Sequence, residues 1–326
     1  MGADERFPEE GAGGAGPVRD VVVVGGGPAG LSAALTLARA RRSVAVVDSA
    51  TPRNAAAGHV HGFLSRDGTP PGELLAAGRA EVASYGAELI DGTARSARRR
   101  DGGFVVRLGD GRRLAARRLL VAAGLRDELP GLPGVRERWG RDVLYCPYCH
   151  GYEVRDQPLG VLATQQCSIE EALHLRQWSP DTVLFTHTTG ADANARRRLA
   201  ARGVRVVDGE VRRVAVVADR LHGVELADGR LVPRRAVFVT PRFASRGGLL
   251  DGLGCARTQE GWPEADGAGR TSVPGVWAAG NVVDPTAQLV TAAGAGAHAA
   301  IGINAELVEE DTVRDLARTA RTPAAS

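Results

Sequence analysis

The chain has 326 residues with 44% apolar and 24% charged side chains, an ordinary globular composition with room for two domains, which excludes a disordered or fibrous chain. Its 41 positive charges are all arginine and face 38 acidic residues, a formal charge of +3, and they fall in scattered groups such as Arg98–Arg100 and Arg196–Arg198. A nucleic-acid partner would need a coherent basic face, so none is expected. No stretch reaches the roughly 18–20 apolar residues of a membrane span, so no membrane partner is expected either. Residues 1–17 are acidic and Gly-rich, unlike a secretion signal; they read as a flexible leader, as residues 317–326 read as a flexible tail. A cytoplasmic location follows as the expectation, and there thiols stay reduced. Four cysteines are too few for a disulfide framework, so a C-x-x-C pair asks for a chemical explanation.

The first ordered segment, Val21–Val24, is a β-branched run that predicts a strand buried on both faces. Gly25-Gly26-Gly27-Pro28-Ala29-Gly30 follows at once, then an Ala/Leu-rich helix over 31–40 and a second strand over 43–48. This is the βαβ context that a G-x-G-x-x-G fingerprint requires. Gly25 permits the tight turn, Gly27 lets backbone approach a pyrophosphate, and Gly30 lets helix and strand pack closely. Phosphates then meet the free N–H groups of the helix N-terminus, and Asp48 accepts from ribose hydroxyls.

Downstream, the pattern predicts a helix over 73–85, hairpin strands over 104–108 and 112–114, and a buried strand over 119–124 ending in Ala123-Gly124. The Pro/Gly-rich joint 129–134 marks a domain boundary. A second βαβαβ pattern follows, with strands over 159–162, 182–185 and 204–207 and helices over 168–178 and 196–202. Strands over 211–217, 223–226 and 236–240 come next, then a strand ending at Gly280-Asn281 and a small-residue helix over 288–309. The fold class is therefore α/β, with two Rossmann-like nucleotide-binding domains, the second inserted into the first. Residues 18–127 and 244–316 are assigned to the first domain and 128–243 to the second.

The chemistry concentrates at Tyr145-Cys146-Pro147-Tyr148-Cys149-His150-Gly151-Tyr152-Glu153. Cysteines three apart on one turn come within disulfide reach, and local N–H groups stabilise a thiolate there. C-x-x-C-H is also the spacing of c-type haem attachment, but that needs an export route and a second axial ligand, and the only methionine is Met1. Zinc needs about four ligands, whereas Cys167 and Cys255 stand alone. Two buried structural thiols would have no reason to sit beside a histidine. A redox-active disulfide is the favoured reading. Three of the four tyrosines flank the pair, which suggests a pocket for a small planar molecule or, for one or two of them, core packing.

Together the first βαβ, the Ala122-Ala123-Gly124 strand end, the C-x-x-C and the Gly280-Asn281 turn resemble the low-molecular-weight thioredoxin reductases, over about residues 20–316. The resemblance implies that Gly25, Gly26, Gly27, Pro28, Ala29, Gly30 and Asp48 bind FAD rather than NAD. It implies further flavin contacts at Arg53, Asn54, His61, Ala94, Ala123, Gly124, Asn281, Gln288 and Leu289. Asn281 would lie by the ribityl chain, and the helix starting near Gln288 would point its positive end at the flavin. It also carries over a homodimer.

Three departures redirect the reading. The inserted domain's nucleotide loop, Ala163-Thr164-Gln165-Gln166-Cys167-Ser168 before Glu170-Glu171, contains no glycine, so side chains occupy the space where backbone must approach a pyrophosphate. The paired arginines expected after the next strand are replaced by Thr186-His187-Thr188-Thr189, and Arg196–Arg198 sit well into the following helix. The family's acidic proton donor after C-x-x-C is His150, which titrates near neutrality and can take a proton from a thiol. This combination looks like the flavin dithiol oxidases of the gliotoxin and holomycin type. That resemblance implies oxidation of a small-molecule dithiol to its cyclic disulfide through Cys146, Cys149 and FAD, with His150 as base and O2 as acceptor. An NADPH- or ferredoxin-dependent disulfide reductase and a non-catalytic flavin sensor are the competing readings.

Overall fold

The computed structural model describes residues 16–100 and 102–320; most of the expected leader, Asp101 and residues 321–326 lie outside the described residues. The first strand, Arg19–Val24, carries Val21, Val22 and Val23 fully buried and pairs in parallel with Val44–Asp48 on one side and Arg113–Val121 on the other. Glu88–Asp91 extends the sheet beyond Val44–Asp48, and the antiparallel strands Gly103–Leu108 and Ala94–Arg100 extend it on the far side. The last strand in the chain, Val276–Ala278, returns to this sheet and pairs in parallel with Leu119–Val121. Its Trp277 is the largest fully buried side chain.

A second sheet of five strands, all parallel, runs in the order Arg205–Val207, Thr182–Phe185, Leu159–Leu162, Ala236–Val239, Val143–Leu144. A three-stranded antiparallel sheet, Val211–Val217, Arg220–Leu226 and Leu231–Pro233, covers one side of it. The chain leaves the first sheet through Leu125–Glu128 and comes back through Arg242–Ser245, and these two strands pair antiparallel. Among the described residues no helix is long and apolar enough to cross a membrane.

Two expectations need correcting. The segments 112–114 and 119–124 are one strand, Arg113–Val121. Arg117 and Arg118, between the two expected segments, are accommodated in the strand by ion pairs to Asp20 and to Glu306, Glu310 and Asp311 of the C-terminal helix. That helix runs Leu289–Thr319, past the expected end near residue 309, so residues 317–319 of the expected flexible tail are helical. The same ion pairs and an i,i+4 pair, Arg314–Glu310, hold the extra turns. The helix is rich in small residues because it crosses Pro28–Arg39 at close range: a Cβ on Gly296 would lie 1.9 Å from the Ala29 carbonyl oxygen.

Candidate active site

The cradle at the end of the first strand is built by absence of side chains. Gly25 has φ +112°, and a Cβ there would lie 2.2 Å from the Ala122 carbonyl oxygen; one on Gly30 would lie 1.8 Å from the Gly25 carbonyl oxygen. Only glycine fits either place. A Cβ on Gly27 would meet nothing within 4 Å, so the loop opens onto free space in front of the helix N-terminus. Asp48 ends the second strand against Gly26, with Arg79 Nη1 3.3 Å from its Oδ2. An acidic side chain beside an open N-terminal cradle suits a dinucleotide: amides for the phosphates, a carboxylate for ribose hydroxyls.

That space is one end of a cavity of about 1480 Å³. Its wall includes Gly25 to Ala29, Asp48, Arg53, Asn54, His61, Ala94, Ala123, Gly124, Asn281, Gln288 and Leu289 from the flavin-contact set above, and Cys146, Cys149 and His150 as well. Gly30 is absent from the wall and supports the cradle from behind, through its contact with Gly25.

Cys146 and Cys149 are joined as a disulfide, their Cα atoms 5.2 Å apart, across the short helix Pro147–His150. The Cys149 N–H donates to Cys146 Sγ (3.2 Å) and to the Cys146 carbonyl (3.1 Å). This turn is seated on the inserted domain through Gly151, where a Cβ would lie 2.9 Å from the Trp178 ring, and through Tyr148, edge-on to Trp178 at 5.4 Å. From the opposite side Gln288, the residue before the C-terminal helix, reaches both sulfurs. Its Nε2 donates to Cys146 Sγ at 3.4 Å, and its Oε1 lies 3.5 Å from Cys149 Sγ. The expected role of Gln288 concerned its backbone position; its side-chain contact with the disulfide is visible only in three dimensions.

His150 is largely shielded, and burial holds its imidazole below the ordinary value of 6.5, with Glu153 opposing that shift and His61 adding to it. It is therefore the neutral, proton-accepting form at pH 7. His61 comes in from the loop after the second strand: Nε2 is 3.5 Å from Glu153 Oε1 and Nδ1 is 3.3 Å from Asp67 Oδ2. Arg53 is held by Asp127 through two nitrogens (2.8 and 2.9 Å) and lies over the rings of Phe243 and Tyr145, which meet edge-on at 5.3 Å. Asn281 donates both amide hydrogens to the Asp284 and Ala287 carbonyls and turns Oδ1 toward Arg53 Nη1 at 3.4 Å. Its side chain thereby shapes the turn that aims the C-terminal helix.

The glycine-free loop 163–168 is closed by its own side chains. Gln165 Nε2 donates to the Thr240 and Pro241 carbonyls (3.0 and 2.9 Å), and Thr164 Oγ1 donates to the same Thr240 carbonyl at 3.2 Å. His187, where paired arginines were expected in the family, accepts from the Val211 N–H at 3.0 Å. Arg196 and Arg198 are paired with Asp208 and Glu170. Residues passed over in the sequence also line the cavity, among them Asp127, Glu171 and Thr240; nothing in the local pattern marks them, because separate segments bring them together, whereas Tyr145, singled out beside Cys146, lies on the same wall.

Residues 19–297 match the model of the pyridine nucleotide-disulphide oxidoreductase family. The solved structure of HlmI is 55% identical, superposes with a TM-score of 0.92, and is matched over 94% of this chain and 98% of that one. The thioredoxin reductase sirT of Leptosphaeria maculans is 30% identical over 90% of this chain and 95% of its own. An Arthroderma benhamiae relative, 34% identical, is matched over 52% of this chain and only 44% of its own length. The family match makes FAD the cofactor, and the open glycine cradle with Asp48 beside it is of a form that would hold such a dinucleotide. The chain belongs to the pyridine nucleotide-disulphide oxidoreductase family, as a thioredoxin reductase-like flavoprotein.

Proposed function

We propose that the protein is a dithiol oxidase that closes an intramolecular disulfide in a small-molecule dithiol and passes the electrons to O2. The observation that carries this reading is a pairing of opposites in one molecule: a disulfide beside a neutral histidine in the flavin cavity, and a second nucleotide loop filled by Gln165. The first equips the chain to accept electrons from thiols, and the second removes the usual seat for a nicotinamide donor.

His150 takes a proton from one substrate thiol, and the resulting thiolate attacks Cys146. The Cys146–Cys149 bond breaks and Cys149 departs as a thiolate. The second substrate thiol then displaces Cys146. The dithiol has lost two electrons and two protons and leaves as a cyclic disulfide, while both cysteines are reduced. FAD, when bound, supplies a two-electron acceptor next to the pair. Cys146 and Cys149 re-form their bond as two electrons and two protons pass on to O2, giving hydrogen peroxide. Cys149 is assigned to the flavin side and Cys146 to the substrate side. A cytoplasmic homodimer with no membrane or nucleic-acid partner completes the proposal.

The deciding experiment is anaerobic. A small dithiol is expected to bleach the yellow holoprotein, with colour returning on admission of air, whereas NADPH is expected to leave it oxidised. Bleaching by NADPH alone would instead establish a disulfide reductase.

A further inference from the structure

Gln288 stands at the N-cap position of the Leu289–Thr319 helix, yet its side chain makes no capping bond; both ends of its amide go to the disulfide instead. The two sulfurs are treated unequally. Cys146 Sγ accepts from two N–H groups, those of Cys149 at 3.2 Å and Gln288 Nε2 at 3.4 Å. Cys149 Sγ faces the Gln288 carbonyl oxygen at 3.5 Å. In the resting disulfide Cys149 carries no proton, so that oxygen has nothing to accept from it. Reduction changes both contacts. A thiolate on Cys146 makes its two bonds charge-assisted, and a thiol on Cys149 supplies the missing proton. The ionisable groups on the cavity wall around the pair include Arg53, matched by Asp127, together with His61, His150, Tyr145, Cys167 and Glu171. Burial keeps His150 and Tyr145 neutral at pH 7, and among the described residues the side chain that hydrogen-bonds to the sulfurs is that of Gln288.

We propose that Gln288 is the positioning residue of the thiol–disulfide exchange: its Nε2 steadies Cys146 as the sulfur that bears the negative charge of the opened pair, and its Oε1 accepts the S–H of Cys149. The direction of the exchange rests on the dithiol-oxidase reading, whereas the placement of charge within the pair does not. When the first substrate sulfur bonds to Cys146, the Cys146–Cys149 bond breaks, and the proton that His150 took from that thiol ends on Cys149. His150, neutral again, takes the proton of the second thiol. That sulfur bonds to the first as the bond to Cys146 breaks, with its electron pair left on Cys146. The dithiol has then lost two electrons and two protons; the pair holds the electrons, and the protons sit on Cys149 and His150. A stabilised thiolate leaves faster, and a protonated Cys149 is a poor nucleophile for the reverse attack on the mixed disulfide. One amide thus favours release at both of its ends.

The test titrates the two thiols separately in the FAD-loaded protein, Cys146 in Cys149→Ser and Cys149 in Cys146→Ser. The readout is the pH dependence of iodoacetamide alkylation, resolved by peptide mass spectrometry, with Gln288 intact and with Gln288→Leu. The quantity compared is the Cys149 midpoint minus the Cys146 midpoint, in which a general change of hydration around the pair cancels. That difference is expected to shrink by about one pH unit in Gln288→Leu, as one hydrogen bond to a charged sulfur is lost. Gln288→Glu keeps the volume but cannot donate once ionised, and is expected to raise the Cys146 midpoint by at least as much. With dithiothreitol as the dithiol, anaerobic bleaching of the Gln288→Leu holoprotein is expected to be about threefold slower than wild type, because Cys146 leaves less readily. An unchanged difference, an unmoved Cys146 midpoint in Gln288→Glu or an unchanged bleaching rate overturns the proposal. So does a difference that widens, the signature of the amide turned the other way. A shrunken difference in a protein whose wild type dithiothreitol does not bleach leaves the charge placement standing and overturns the oxidase reading instead.

Discussion

At the residue scale, the proposed chemistry rests on two thiols and an imidazole, and their roles separate by substitution. Under the proposed assignment of Cys149 to the flavin side, Cys146→Ser would leave a thiolate beside the oxidised ring and is expected to develop a long-wavelength absorbance band that grows with pH. Cys149→Ser is expected to show no such band and to trap the substrate as a mixed disulfide detectable by mass spectrometry. Both variants should retain FAD and lose nearly all turnover; a band in Cys149→Ser would reverse the assignment. His150 follows from its environment. Because burial lowers its pKa below 6.5, the proton-accepting form persists above that point and is lost only as pH falls through the lowered value. The pH profile of kcat/KM should therefore have an acid limb centred below 6.5. His150→Gln should remove that limb and reduce the rate roughly 10²–10⁴-fold. A limb that survives in His150→Gln belongs to another group.

At the scale of elements, the C-terminal helix does the positioning: it begins at the disulfide and is clamped at its far end. Asp311 takes Arg42 and Arg117 at 2.6 Å each, and these partners hold its carboxyl down at about 2. A carboxyl depressed from 3.8 in the folded state contributes stability that is present above that value and disappears as pH falls through about 2. Asp311→Asn should lower stability at pH 7 by about 1 kcal/mol, since the pairs are partly solvated. By thermal melts, the difference from wild type should vanish toward pH 2; a constant difference at every pH would assign the effect to packing. The periodicity of the helix was legible to about residue 309, and the turns beyond it were not. Their stability comes from Arg42 and Arg117, which lie far away in the chain. The Arg113–Val121 strand was misread for the complementary reason, its two arginines being satisfied by that helix.

At the scale of the whole molecule, two nucleotide-binding modules stand side by side, and only the first keeps an open cradle. Replacing Ala163, Gln165 and Ser168 together by glycine is expected to free the Thr240 and Pro241 carbonyls without conferring NADPH oxidation, measured as loss of nicotinamide absorbance. His187 would still occupy the place of the arginine clamp, with its ring accepting from the Val211 N–H. Appreciable NADPH turnover in the triple variant would show that the loop alone had closed the site.

What the sequence determined by itself is what depends on neighbours in the chain. The Val21–Val24 strand, the Gly25–Gly30 turn, Asp48 at the next strand end and the Cys146–Cys149 spacing are local patterns. Each reports its conformation through steric freedom, periodicity or reach. They sufficed for the two-module α/β reading, and FAD rather than NAD followed from the family resemblance they carry. What only the tertiary structure decided is which distant groups meet. Gln288 touches both sulfurs across 142 and 139 residues, Arg53 closes on Asp127, His61 reaches Glu153, and Glu171 is sealed against Thr240 with one oxygen unmet. A glutamate in an amphipathic helix and a glutamine before a helix have the same local signature whether they face water or a reactive centre. Burial, the property that sets their chemistry, exists only once the sheets have packed.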